Sequence, residues 1–197
     1  MSVVIVDSGG ANLTSLRNAL LRLGATALVS SDASAIRCAA RVILPGVGSA
    51  TAAMARLRDL QLTGVISALQ QPMLGICLGM QLLYEHSAEG DVPCLGILPG
   101  QVRRIASQPG LSVPHMGWNT LEILRDDPLL NGLDASSYGY FVHSYAASVD
   151  THTLASSEHG APLAAVVRRG NYWGTQFHPE RSGTTGARVL DNFLRLS

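Results

Sequence analysis

The chain has 197 residues, a little more than one domain at roughly 150 residues each, so a single domain over 1–197 is expected. Charged residues make up 14% against a typical value of about 25%, and hydrophobic residues reach 47%, which excludes a disordered chain. The 14 basic and 14 acidic residues cancel, so no electrostatic face for nucleic acid or an anionic membrane is indicated; every basic residue is arginine, so neither a Walker-type lysine nor a Schiff-base lysine is available.

The opening Met1-Ser2-Val3-Val4-Ile5-Val6-Asp7 has an apolar stretch too short for a signal peptide and no basic segment before it, and no apolar run reaches 18 residues. The expected location is the cytoplasm. Val3 to Val6 reads as a first strand, buried on both faces. After Ser8-Gly9-Gly10-Ala11, Asn12 is placed to cap a helix with Leu13, Leu16, Leu20 and Leu23 on one face and Gly24 at its end. Ala27 to Ser30 and Arg41 to Leu44 read as further strands, the latter running into Pro45-Gly46-Val47-Gly48, and Ala50 to Leu60 as a helix. Met73 to Ile76 is a fourth strand, and a helix over Leu78 to Glu85 is expected with only Cys77 between. From about Gly96 short strands and turn residues dominate, with Arg169-Gly170-Asn171 suggesting a hairpin; Thr184 to Leu196 then has the period of a closing amphipathic helix. The pattern defines an α/β fold with a mixed, largely parallel central sheet and flanking helices.

Cys38, Cys77 and Cys94 are an odd number without a C-x-x-C pair, so neither a disulfide framework nor a zinc site is suggested. Cys38 and Cys94 read as packing residues. Cys77 is different: in Gly75-Ile76-Cys77-Leu78-Gly79 it stands where a strand meets a helix, the cysteine form of a nucleophile elbow. The glycines let strand and helix approach closely, and a helix N-terminus favours negative charge on the sulfur. A buried structural cysteine fits those five residues equally well.

A sulfur nucleophile needs a histidine to carry protons and a third group to orient it. His178, in Gln176-Phe177-His178-Pro179-Glu180, follows a predicted strand and has Glu180 two residues on, within reach of the far imidazole nitrogen. A structural turn histidine is the competing reading. His86, His152 and His159 lie in polar surroundings and are expected to face solvent, while His115 and His143 are left open. Near Val47 and Gly48 a freed backbone N–H is positioned to meet a developing oxyanion together with the N–H of Leu78; an ordinary βα turn is the alternative.

Taken in order, Leu44-Pro45-Gly46-Val47-Gly48, Leu74-Gly75-Ile76-Cys77-Leu78-Gly79-Met80-Gln81 and Gln176-Phe177-His178-Pro179-Glu180 resemble the motifs of the triad (class I) glutamine amidotransferases. The resemblance implies Cys77 as nucleophile, His178 as base and acid, Glu180 as its orienting carboxylate, and oxyanion donors near Val47, Gly48 and Leu78. Gln81 and the backbone of His143, Ser144 and Tyr145 would hold the substrate glutamine, with no metal or organic cofactor. Pro114-His115-Met116-Gly117-Trp118-Asn119 and Tyr140-Phe141-Val142-His143-Ser144-Tyr145 resemble members that pass ammonia to a cyclase partner subunit in a heterodimer of histidine biosynthesis. Asn12, Trp118 and Tyr140 are then the candidate partner contacts. Many members read Tyr-Gly-x-Gly-Asn-Leu near the start, and this chain departs from that with Ser8-Gly9-Gly10-Ala11 before Asn12-Leu13. Two alternatives stay open: a related enzyme such as the glutaminase of vitamin B6 synthesis or a γ-glutamyl hydrolase, and a binding protein that has lost catalysis.

Overall fold

The computed structural model describes residues 2–9 and 13–196. Asn12, expected to cap a helix and to meet a partner, lies outside the described residues. In the first half β1 (Val3–Val6), α1 (Leu13–Arg22), β2 (Ala27–Ser30), α2 (Ala33–Cys38), β3 (Arg41–Gly46), α3 (Ala50–Asp59), α4 (Thr63–Ser67) and β4 (Met73–Cys77) follow in turn. The chain continues through α5 (Leu78–Gln81), β5 (Tyr84–Ser87), β6 (Val92–Pro93), β7 (Leu98–Arg104), β8 (His115–Thr120) and β9 (Glu122–Ile123). It closes with β10 (Tyr138–His143), β11 (Tyr145–Ala147), β12 (Thr153–Glu158), β13 (Pro162–Arg169), β14 (Tyr172–Thr175) and α6 (Gly183–Arg195).

Eight strands form the main sheet in the order β2-β1-β3-β4-β14-β13-β12-β9. The first five are parallel and the last three extend the sheet antiparallel, which matches the mixed sheet read from the sequence. Side chains of successive strand residues point to opposite faces, so β1 and β3 send Val4, Val6, Val42 and Leu44 to one core and Val3, Ile5 and Ile43 to the other. Met54, Leu57, Val65 and Ile66 of α3 and α4 cover the first face; Leu16 and Leu20 of α1 with Val189 and Phe193 of α6 cover the second. Burial on both sides is why these strands read as continuous apolar runs. β13 and β14 join through Gly170-Asn171, with Arg169 opposite Tyr172 and Gly170 at φ +59°, the turn expected there.

Three details differ from the sequence reading. The short helices α2 and α4 carry no signal in the sequence pattern; α2 is capped by Asp32, whose carboxylate accepts the Ala35 N–H at 2.7 Å. The helix expected over Leu78 to Glu85 ends after Gln81, and Tyr84–Ser87 is a strand of a four-stranded sheet ordered β11-β7-β5-β6. The carbonyls of Leu82 and Leu83 accept from the amides of Leu95 and Leu98 at 2.9 and 2.7 Å, and Tyr84 is buried, so tertiary pairing overrides the helical spacing. Cys38 is exposed, whereas Cys94 packs half-buried against the core as expected.

β8 and β10 form a separate antiparallel ribbon in which His115 faces His143, Gly117 faces Phe141 and Trp118 faces Tyr140. Alternation sends His115, Phe141 and His143 inward and leaves Met116, Trp118 and Tyr138 on the exposed side.

Candidate active site

Cys77 occupies the junction of β4 and α5 with φ +53° and ψ −110°, a conformation that side-chain-bearing residues rarely adopt. The crossing behind it is too close for side chains: a Cβ at position 79 would stand 1.8 Å from the Leu44 carbonyl oxygen, and one at position 75 would stand 2.6 Å from that of Gly79. The elbow thus turns the sulfur away from the sheet. Because α5 is a single turn, it brings no extended helix dipole to the sulfur. The sulfur lies 3.8 Å from the Val142 carbonyl and 3.8 Å from the Gln176 side-chain nitrogen, which donates to it.

His178 follows β14, its backbone N–H bonded to the Tyr140 carbonyl at 2.9 Å, and its side chain is only 13% exposed. Its Nδ1 sits 2.9 Å from Glu180 Oε1 across the turn that Pro179 begins. Burial would lower the imidazole pKa, but hydrogen bonds to Cys77 and Glu180, reinforced by their charges, outweigh it and lift it to about 10. The charged ring is therefore the stable form in this setting. Glu180 is itself buried, and among the described residues its other oxygen, Oε2, has no hydrogen-bond partner.

A cavity of about 350 Å³ opens over the sulfur, lined by Cys77, His178, Val47, Gly48, Leu78 and Gln81. His143, Ser144 and Tyr145 form its opposite wall. All of the expected oxyanion and substrate residues thus border one space. Glu180 lies behind His178 and borders a second, smaller cavity of about 180 Å³ that also touches Leu16, Val47 and Arg181. Among the described residues no group of three or more His, Cys, Asp or Glu side chains is arranged to hold a metal ion.

Two residues not assigned a role from sequence, Gln176 and Glu89, also converge here. Gln81 donates to the Tyr145 carbonyl at 2.8 Å and to Gln176 Oε1 at 3.0 Å, so Gln176 links the wall of the cavity to the sulfur. Glu89 also borders the cavity and accepts the Ala50 N–H at 2.8 Å, at the start of α3.

The histidines divide differently from expectation. His86 is half-buried and pairs with Asp91 at 3.1 Å, and His152 is half-buried as well. His159 is half-buried: it stacks on the buried His115 with ring centroids 4.0 Å apart and bonds the Ser112 carbonyl at 2.8 Å, so it caps an inner cluster of His115 and His143. In that cluster burial above all lowers the pKa of His115 to about 3, and burial lowers that of His143 to about 4 against the opposing pull of the Tyr145 carbonyl. Both rings are neutral at physiological pH. On the outer side of the ribbon Trp118 is 57% exposed and meets Tyr140 edge to face at 5.7 Å.

The glutamine amidotransferase class-I family model matches residues 4–196. The chain belongs to the class-I glutamine amidotransferases. Within that class it is 55% identical over 194 residues to the imidazole glycerol phosphate synthase subunit HisH of Xylella fastidiosa (98% of this chain, 97% of the relative). It is also 55% identical over 197 residues to that of Idiomarina loihiensis (100% and 99%), and 56% identical over 195 residues to that of Xanthomonas euvesicatoria (99% and 98%). A solved glutamine amidotransferase shares the fold with a TM-score of 0.76 at 24% identity (98% of this chain, 96% of that one). Another, from Thermotoga maritima, has a TM-score of 0.64 at 17% identity (98% and 82%).

Proposed function

We propose that this chain is the glutaminase subunit of an imidazole glycerol phosphate synthase, one glutamine amidotransferase domain that works in the cytoplasm and serves histidine biosynthesis. It hydrolyses glutamine to glutamate and ammonia and hands the ammonia to a cyclase partner, which makes imidazole glycerol phosphate and aminoimidazole carboxamide ribotide. The identity of more than half the residues with HisH subunits over the full length supports the assignment, and no helix among the described residues is long and apolar enough to cross a membrane. The observation that carries the chemistry is the line from Glu180 through His178 to the strained Cys77 beside a cavity.

In this reading the Cys77 sulfur attacks the side-chain amide carbon of glutamine. The carbonyl oxygen, becoming negative, is met by N–H groups at Val47, Gly48 and Leu78. His178, charged at the outset, gives its proton to the departing ammonia, leaving a thioester, and then as a neutral base takes a proton from the water that releases glutamate. Glu180 holds the imidazole in the tautomer that leaves Nε2 toward the sulfur. Gln81 and the backbone of His143, Ser144 and Tyr145 position the amino-acid end, with the Glu89 carboxylate at the same cavity suited to the substrate ammonium group. The exposed face bearing Trp118 and Tyr140 is the partner contact, since aromatic side chains are enriched in interface cores. Asn12 is retained as a partner contact on the sequence reading alone.

The test is glutamate and imidazole glycerol phosphate formation by the chain mixed with the cyclase, with and without the cyclase's nucleotide substrate. Stoichiometric labelling of Cys77 by a glutamine-analogue electrophile is expected. Failure to label, or to release glutamate with the loaded partner, sinks the assignment.

A further inference from the structure

The inward side of the β8–β10 ribbon carries a hydrogen-bond chain that the reaction as described leaves unused. His143 Nδ1 lies 2.9 Å from the Tyr145 carbonyl, His115 Nδ1 lies 3.0 Å from His143 Nε2, and Asn119 Nδ2 lies 3.1 Å from His115 Nε2. The end points fix every direction in it. A carbonyl only accepts, so His143 carries its hydrogen on Nδ1 and, as a neutral ring, accepts at Nε2. His115 must then donate from Nδ1 and accept at Nε2. Asn119 supplies that last hydrogen from its amide nitrogen, whose other hydrogen goes to the Glu158 carbonyl at 2.7 Å, while its Oδ1 accepts the Thr120 N–H at 2.8 Å. Each hydrogen has one acceptor, and neither ring can flip without breaking two bonds.

Both ends of the chain are placed where they matter. The Tyr145 carbonyl it reaches is the one that Gln81 also grips, on the wall of the cavity above Cys77. Asn119 adjoins Trp118, which stands with Met116 on the exposed side of β8. We propose that Asn119, His115 and His143 form a positioning chain that holds the 143–145 backbone in the geometry that receives glutamine and ties it to the partner-facing strand. This rests on the reading of the Cys77 cavity as the glutamine site. None of the three side chains touches a reacting atom. Loss of the chain therefore weakens recognition of the amino-acid end while the sulfur and its imidazole stay poised.

The experiment uses the complex with the cyclase and its nucleotide ligand, and compares His115→Phe, His115→Asn and Asn119→Leu. Phenylalanine keeps the stack of residue 115 between Phe141 (4.7 Å) and His159 but removes the donor, whereas asparagine places an N–H where Nδ1 was. His115→Phe is expected to raise KM for glutamine about tenfold, the size of one buried hydrogen bond, with kcat changed by less than about threefold. His115→Asn should recover most of the loss, and Asn119→Leu should raise KM in the same direction, which covers the case in which the phenylalanine variant does not fold. The rate of Cys77 alkylation by iodoacetamide, which needs no amino-acid recognition, should match the parent. An unchanged KM in both donor-deleting variants, a fall in kcat with KM constant, or an asparagine variant as impaired as the phenylalanine one overturns the proposal. A parent complex that releases no glutamate instead overturns the reading of the cavity, a separate and distinguishable result.

Discussion

Gly79 packs against the Leu44 carbonyl so tightly that a methyl group on residue 79 would stand 1.8 Å from the oxygen. The contact is backbone to backbone, so no side chain can yield. Gly79→Ala must push α5 off β3, tilting the elbow that aims Cys77. We expect a loss of about 1–3 kcal/mol of stability, the range of overpacked cores, or more, and near-complete loss of glutamine hydrolysis. Urea unfolding midpoints check the first, and a variant as stable and active as the parent contradicts the contact.

Cys77→Ala removes the only atom at the elbow able to form a thioester. Glutamine-dependent synthesis by the complex is expected to vanish. Because the cyclase performs its own ring closure, synthesis from high ammonium should persist. Parallel assays with the two nitrogen sources read this directly, and loss of both would assign Cys77 a structural role.

Glu180→Gln keeps the shape of the side chain but withdraws the charge facing His178 Nδ1. By the behaviour of orienting carboxylates in other triads, kcat should fall by one to a few orders of magnitude, less than on loss of Cys77. Cys77 and, after it, Glu180 raise the pKa of His178 and so set a pH dependence. The folded-state pKa of His178 is raised to about 10, so its contribution to stability is fully present below about pH 6.5 and is lost as pH rises through 10. Melting temperatures between pH 6.5 and 10 should decline less steeply in Glu180→Gln than in the parent. Parallel curves would mean that Glu180 does not hold the proton.

The inner cluster gives the opposite sign. His115 and His143 have folded-state pKa values lowered to about 3 and 4, so their neutral packing contributes fully above about pH 6.5 and the contribution is lost as pH falls toward 4. His143 and His159 beside His115, and His159 and His178 near His143, add to the penalty on any charge there. Melting temperature should fall over that window and fall less steeply in His115→Phe; equal slopes in calorimetry would place the acid-labile groups elsewhere.

These buried rings also show where sequence reading stopped. The parallel strands, the elbow and the His178–Glu180 spacing were legible because each is a local pattern: an apolar run, glycines flanking a nucleophile, a carboxylate two residues after an imidazole. The helix read past Gln81 was wrong because Leu82 and Leu83 are captured by amides at Leu95 and Leu98, a pairing that no local spacing encodes. His115 reaches His143 only through the register of two strands whose paired positions are 28 apart in sequence, and His159 joins from a third segment. Side-chain chains of this kind depend on which strands pair, and sequence alone leaves that undetermined.

A glutaminase that fed a partner but hydrolysed glutamine whenever it met it would spill ammonia, so a gate is expected at the oxyanion site. The segment from Gly46 to Gly48 is held unequally. A Cβ on Gly46 would meet the Gly79 nitrogen and the Leu78 Cβ at 2.9 Å, and Gly46 is paired in register with Cys77, so that end is pinned. Gly48 has open space around it and rests at φ +89°, while Val47 is 41% exposed. Freedom to turn a peptide therefore lies between Val47 and Gly48, and such a turn would carry Gly48 to negative φ, which glycine adopts as readily. Withdrawing one oxyanion donor costs about 2.7–4 kcal/mol, a hundred- to a thousandfold in rate, so withdrawal of this one N–H would suffice as a gate if the observed positive-φ state is the withdrawn one. The chain alone should be nearly inactive, and the cyclase with its nucleotide ligand should raise glutamine turnover by at least about a hundredfold. Gly48→Ala penalises the positive-φ state by about 1–2 kcal/mol, so partner-free turnover should rise by roughly five- to thirtyfold and the stimulation should shrink by the same factor. Steady-state glutamate production with and without the loaded partner measures both; full activity of the parent chain alone, or a Gly48→Ala variant slower than the parent without the partner, would rule out this peptide as the gate.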